Sequence, residues 1–177
     1  YGLAGAAALA GGAMRGRADG AVASLLAGGV AAHTVSLALR WERVGHGPFI
    51  SMFEVLSSNV WSLSLLFLVA FLKVRAVRPA AAVGLPVIFI LMAWMLGTHP
   101  DDGHLPATYR TLWLYAHVAF GKVFLGALLV ASAVAGLILL ARVGRRTPAD
   151  EGPRELLVMR FVALAFVFES LMLVTGA

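Results

Sequence analysis

The sequence predicts an all-α, polytopic transmembrane helical bundle of about six spans with the N-terminus outside, and three observations carry that reading. Of the 177 residues, 60% are hydrophobic and 13% charged, against about 45–50% and about 25% in a soluble domain, and the mean hydropathy is +0.89. Apolar stretches recur at the roughly 20-residue length that a helix rising about 1.5 Å per residue needs to cross a core about 30 Å thick. Basic residues concentrate on alternate connectors. This composition excludes a soluble globular protein, a disordered tail and a nucleic-acid-binding domain. The absence of cysteine excludes disulfides, thiolate metal sites and a CxxCH haem-attachment motif in these residues.

The spans follow in order. Tyr1 to Met14 reads as the end of a helix whose start is missing, and Gly20 to Leu39 as an uncharged span holding His33. The third runs from about Ser51 to Leu72 and is uncharged after Glu54. The fourth, Pro79 to Thr98, contains Pro86, a kink that neighbouring helices can accommodate. The fifth, about Leu112 to Ala141, carries His117 and Lys122, and the sixth, from about Leu156 to Ala177, carries Glu169. Alternate connectors hold Arg15 and Arg17, then Lys73, Arg75 and Arg78, then Arg142, Arg145, Arg146, Arg154 and Arg160, ten in all; the other two hold Arg40, Arg43 and Arg110. Lysine and arginine accumulate in cytoplasmic loops, so the net charge of +5 reads as topology and the set of ten as cytoplasmic. The chain forms one transmembrane domain over 1–177. Because Tyr1 is not Met and Ala177 falls in an apolar run, it reads as part of a longer protein.

An ionisable side chain inside a membrane is a functional candidate by default. His33, in AAHTVSLALR, and His117, in TLWLYAHVAF beside Trp113, are candidate axial ligands to a haem or another metal, because neutral imidazole is the commonest biological metal ligand. The structural alternatives are an interhelical hydrogen bond for His33 and an interfacial aromatic belt around His117 and Trp113. Residue counts put His33 about 10 Å and His117 about 6 Å below the end of their spans, so both on one haem is not the preferred reading. His99 and His104 lie in the polar, turn-rich THPDDGH, read as a solvated loop; with Asp101 and Asp102 they match no ligand signature. Glu54 reads as structural, Lys122 as a base able to snorkel along its helix, and Glu169 as unexplained. Small-residue stretches at Gly2 to Ala13, Gly28 to Ala32 and Gly126 to Gly136 read as helix-packing faces.

The order of motifs says more than any one residue. AAHTVSLALRW, then GHGPFISMFEVLSSNVW, then LPATYRTLWLYAHVAFGKVFLGALLVASAVAGLILL, resembles the cytochrome c assembly family, the CcsA/ResC-type haem-handling membrane proteins, over about Gly20 to Ala177. Against that family's GHxPxxNxYES pattern, Gly45, His46, Pro48 and Glu54 fit, whereas Ser51, Phe53 and Val55 depart from it. The resemblance implies that His33 is a ligand to haem b held within the bundle and His117 a ligand to haem held at the outer face, with Trp113 beside it. It implies a place in a bacterial inner membrane, with haem, apocytochrome c and the rest of the assembly machinery as partners. The chain ends about where the family's tryptophan-rich WGxxWxWD segment would begin, so the resemblance is to an N-terminal half, part of a cytochrome c haem lyase or synthase. Two rival readings stand beside it: a structural or haem-holding electron-transfer subunit of a respiratory or photosynthetic membrane complex, and a transporter of protons or small solutes using Lys122, Glu169 and the histidines.

Overall fold

The computed structural model describes residues 2, 15–144 and 151–176, and these form helices and connectors with no strand among them. Five long helices follow one another: α1 (Arg15–Val44), α2 (Met52–Lys73), α3 (Ala81–Leu96), α4 (Leu112–Val143) and α5 (Glu151–Gly176). Each is long and apolar enough to cross a membrane, α3 together with the 3-10 segment Arg75–Ala80 that leads into it. The chain is therefore an integral membrane protein by build. Five spans are seen where six are expected, and the expected first span, Tyr1 to Met14, lies outside the described residues apart from Gly2.

The boundaries differ from expectation for local reasons. α1 runs on through Trp41 to Val44 and stops where Gly45 turns to φ 78°, a left-handed conformation that glycine adopts without the Cβ penalty. α2 starts at a capping box. The Ser51 side chain accepts from the Glu54 N–H at 3.2 Å, and the Glu54 carboxylate accepts from the Ser51 N–H at 3.3 Å, satisfying two of the donors that a helix start leaves open. Pro79 falls in the 3-10 segment, while Pro86 sits inside α3, early enough that only its first turns are affected. Thr111 caps α4 through its hydroxyl and the Leu114 N–H.

α2 is the hub. Of its most apolar window 61% is buried within the bundle, against 6% for α5, because α2 packs on α1, α3 and α4 whereas α5 packs chiefly along α4. Leu26 of α1, Val60 and Phe67 of α2, Leu85 and Ile88 of α3 and Val130 and Val134 of α4 form the shared core. α5 leaves Leu164, Phe166, Leu173 and Val174 exposed, apolar surface of the kind that acyl chains cover.

The packing-face expectation holds in part. Gly126, buried on α4, meets Leu66 of α2, and Gly136 meets Val83 of α3. Gly28 faces open space, and Ala31 and Ala32 are exposed, so in that stretch of α1 it is Val30, and not the small residues, that packs in the core.

The two ends of the bundle differ. At one, Arg78 reaches Asp19 at 3.5 Å, and Arg142 pairs with Glu151 and Glu155, joining α4 to α5. At the other, the connectors 45–51 and 97–111 are tied to each other and to α1 and α2.

Candidate functional site

The site is built from the tied end of the bundle inward. Glu54, 1% exposed, accepts from the Arg40 Nε at 3.0 Å and from the Ile50 N–H at 3.0 Å. Arg40 crosses to the second connector, donating to the Asp101 carbonyl at 2.7 Å and pairing with Asp102 at 3.4 Å, and its guanidinium lies 5.2 Å from the Phe53 ring centre. Arg43 adds a pair to Asp102 at 3.0 Å. His46 is 4% exposed, with Nε2 2.6 Å from the Gly103 carbonyl and Nδ1 3.0 Å from the Gly47 carbonyl; both oxygens only accept, so the neutral ring donates its one N–H to one of them. A buried carboxylate and guanidinium thus compensate each other while their remaining hydrogen-bonding capacity organises two connectors. Glu54 is structural, as expected, and Asp102 serves the ion pairs, whereas His99 and His104 are exposed.

Sequence reasoning gave His46 no role of its own and placed Arg40 among connector charges only. The signal for the Glu54 cap was Ser51-Met52-Phe53-Glu54, an S-x-x-E box before an apolar run. No local pattern announces a histidine that bridges to a carbonyl 57 positions away. Replacing His46 by Phe keeps the buried volume but removes the ring N–H that faces the connector carbonyls. Hydrogen exchange is expected to accelerate in 97–111 by at least about fivefold, as leaving a buried carbonyl without its donor at a cost of about 1–3 kcal/mol implies, with α2 and α4 unchanged. Unaltered exchange in 97–111 would show that His46 does not hold the connectors.

The two histidines expected as ligands face different neighbours. His33 Nε2 lies 2.9 Å from the Ser57 Oγ on α2, the interhelical hydrogen bond weighed for it. His117 Nδ1 lies 2.8 Å from the Met172 carbonyl of α5. A carbonyl only accepts, so Nδ1 carries the proton and the lone pair is on Nε2. The close approach rests on Gly176, where a Cβ would stand 2.5 Å from that same Nδ1. Trp113 is 66% exposed and directed away from the core.

Lys122 departs from the snorkelling expectation. Its Nζ donates to the Ser58 Oγ at 2.9 Å and to the Asn59 Oδ1 at 2.8 Å, both on α2. The Ser58 hydroxyl hydrogen goes to the Val55 carbonyl at 3.2 Å, leaving its oxygen to accept from Lys122. Among the described residues no carboxylate lies within ion-pair distance of Lys122. Glu169 is half-buried on α5 and takes no part in this cluster.

Beside Lys122 a cavity of about 480 Å³ opens between α1, α2 and α4. Tyr115 forms its aromatic end, stacked on Trp41 with ring centres 6.2 Å apart and meeting Phe49 edge-on at 5.5 Å. Trp61 lines it too, its indole N–H held by the Thr34 hydroxyl at 2.7 Å. Among the described residues Lys122 is the one charged side chain on the wall. A second cavity of about 430 Å³, between α2, α3 and α4, is lined by Asn59, so the Lys122 to Asn59 bond stands between the two.

A haem fits these residues at one point. His117 has the tautomer of a ligating imidazole, with Nδ1–H tied to a carbonyl and Nε2 left as the donor atom for a metal. His33 bonds to α2 and His117 to α5, and neither lines the 480 Å³ cavity. Among the described residues no cluster of three or more metal-ligating side chains occurs. No family model, curated protein or solved structure matches this chain.

Proposed function

We propose that the chain is a haem-handling integral membrane protein of cytochrome c assembly, binding haem b through His117 and presenting it to apocytochrome c. The observation that carries this reading is the Nδ1–H bond of His117 to the Met172 carbonyl, which fixes the tautomer and orients the ring. The knot around Glu54 supports it further. Gly45, His46 and Glu54, which fit the resembled family's pattern, are the residues that shape the connectors on the same side of the bundle as His117. On this reading that side is external and the end bearing Arg78 and Arg142 is cytoplasmic, in a bacterial inner membrane, with the basic residues obeying the positive-inside rule.

When bound, haem supplies the vinyl carbons, and apocytochrome c the thiols, for thioether formation. This chain's own part is to ligate the iron, hold the imidazole in one orientation and keep the site on one side of the membrane. His33 is the second candidate ligand, within the bundle, and Trp113 a candidate wall on the exposed face of α4.

Protein purified after expression with haem supply is expected to show a Soret band. His117→Ala should lower haem occupancy by at least about tenfold, consistent with the 10–100-fold range for losses at metal sites, and exogenous imidazole should restore the band. No Soret band, or a band indifferent to both His117→Ala and His33→Ala, would overturn the reading.

A further inference from the structure

The cavity between α1, α2 and α4 has a composition that the haem reading does not use. An ammonium carries three donors; two of those on Lys122 go to Ser58 and Asn59. Its charge, however, meets no carboxylate among the described residues, and the two dipoles it meets carry no net charge. A cation in an apolar span is retained at a cost unless an anion or a conducting path accompanies it. The cation stands on the wall of an apolar and aromatic cavity of about 480 Å³, inside the range of about 300–1,000 Å³ common to small-molecule sites, where one charged group fixes orientation and apolar walls supply affinity.

We infer that this cavity binds a single-chain amphiphile bearing one carboxylate, with the carboxylate at Lys122 and the hydrocarbon along Leu37, Leu65 and Leu66. Charge complementarity decides the class: a single ammonium matches a single negative charge, and the other polar groups on the wall are neutral, the Thr34, Ser58 and Ser62 hydroxyls and the Trp61 indole being engaged with protein partners and the Trp41 indole and Tyr115 hydroxyl lying at the aromatic end. Trp61 and Trp41 flank the space and report on its occupant. The site does not depend on haem, because His117 turns to α5 and lies off the cavity wall.

The experiment uses detergent-purified full chain, with bromine-labelled palmitate and its methyl ester as quenchers of tryptophan fluorescence. The acid is expected to quench at concentrations about tenfold lower than the ester, a preference of about 1.4 kcal/mol. Lys122→Met should bring acid and ester together while ester quenching persists, and Lys122→Arg should keep the preference. Ala119→Phe, which fills the cavity from α4, should weaken both. Should Lys122→Met fail to fold, Lys122→Gln makes the same comparison, retaining an amide donor toward Ser58 without the charge. Equal quenching by acid and ester in the unaltered protein, or a preference that survives the neutral substitution, would overturn the assignment.

Discussion

Glu54→Ala is expected to destabilise the bundle by about 3–5 kcal/mol, the range for removing one partner of a buried ion pair. The size follows from what is left behind. Arg40, with a side chain 10% exposed, loses the carboxylate that its Nε donates to at 3.0 Å. The backbone N–H groups of Ile50 and Ser51 lose their acceptor, and α2 loses half of its capping box. Glu54→Gln separates these contributions, because the amide oxygen still accepts while the charge is gone; its loss should be roughly half as large. Replacing both partners, as Arg40→Met with Glu54→Leu, should recover much of the stability, since neither charge is then stranded. Equilibrium unfolding in mixed micelles of the four proteins measures this. A loss below about 1 kcal/mol for Glu54→Ala would mean that Arg40 is satisfied by the Asp101 carbonyl and Asp102 alone, and that the knot does not hold the connectors.

This knot also marks where sequence reasoning stops. The helices were legible because hydrocarbon thickness imposes a length and a lack of charge on each span, and both are properties of contiguous residues: Met52–Lys73 falls within a residue of its expected position at either end. Gly126 was legible as a packing position because small residues on a transmembrane helix permit close approach, yet the same argument failed at Gly28, since a run of small residues does not say whether a neighbour is there. Arg40 meets the Asp101 carbonyl 61 positions on, His46 the Gly103 carbonyl 57 positions on and Lys122 the Asn59 amide 63 positions back, pairings that depend on which elements the fold brings face to face. Lys122 shows the consequence. A lone lysine within a span has a physically sound default, extension toward the interface, and only the placement of Ser58 and Asn59 opposite it turns the side chain inward. His117 is intermediate, because its residue type suggested ligation, but its tautomer required the Met172 carbonyl from a helix 55 positions on.

The seam between α2 and α4 gives the second large effect and couples the fold to the cavity. A Cβ on Gly126 would fall against the side chain of Leu66, meeting not only its methyl end but its Cβ at 2.8 Å and Cγ at 3.0 Å. Rotation of the leucine cannot clear atoms that close to its own backbone, so the helices must separate. Gly126→Ala should therefore cost about 1–3 kcal/mol, the usual penalty of overpacking, despite the gain in helix propensity of about 1 kcal/mol that alanine brings over glycine. Leu66→Ala alone is also destabilising, as it vacates packing on a half-buried residue. Together the two changes relieve the overlap with the leucine Cγ and methyl, though the Cβ at position 66 stays 2.8 Å away, and the double variant should be more stable than the sum of the single losses predicts by about 0.5–3 kcal/mol. Because Leu66 also lines the 480 Å³ cavity, its displacement by Gly126→Ala alone should weaken quenching by brominated palmitate and by its ester alike, leaving their ratio intact. Strict additivity in the unfolding cycle would show that the helices yield at this seam without strain. In that case the separation of α2 and α4, and with it the position of Lys122 against Ser58 and Asn59, would be set by the core around Val130 and Val134 rather than by Gly126.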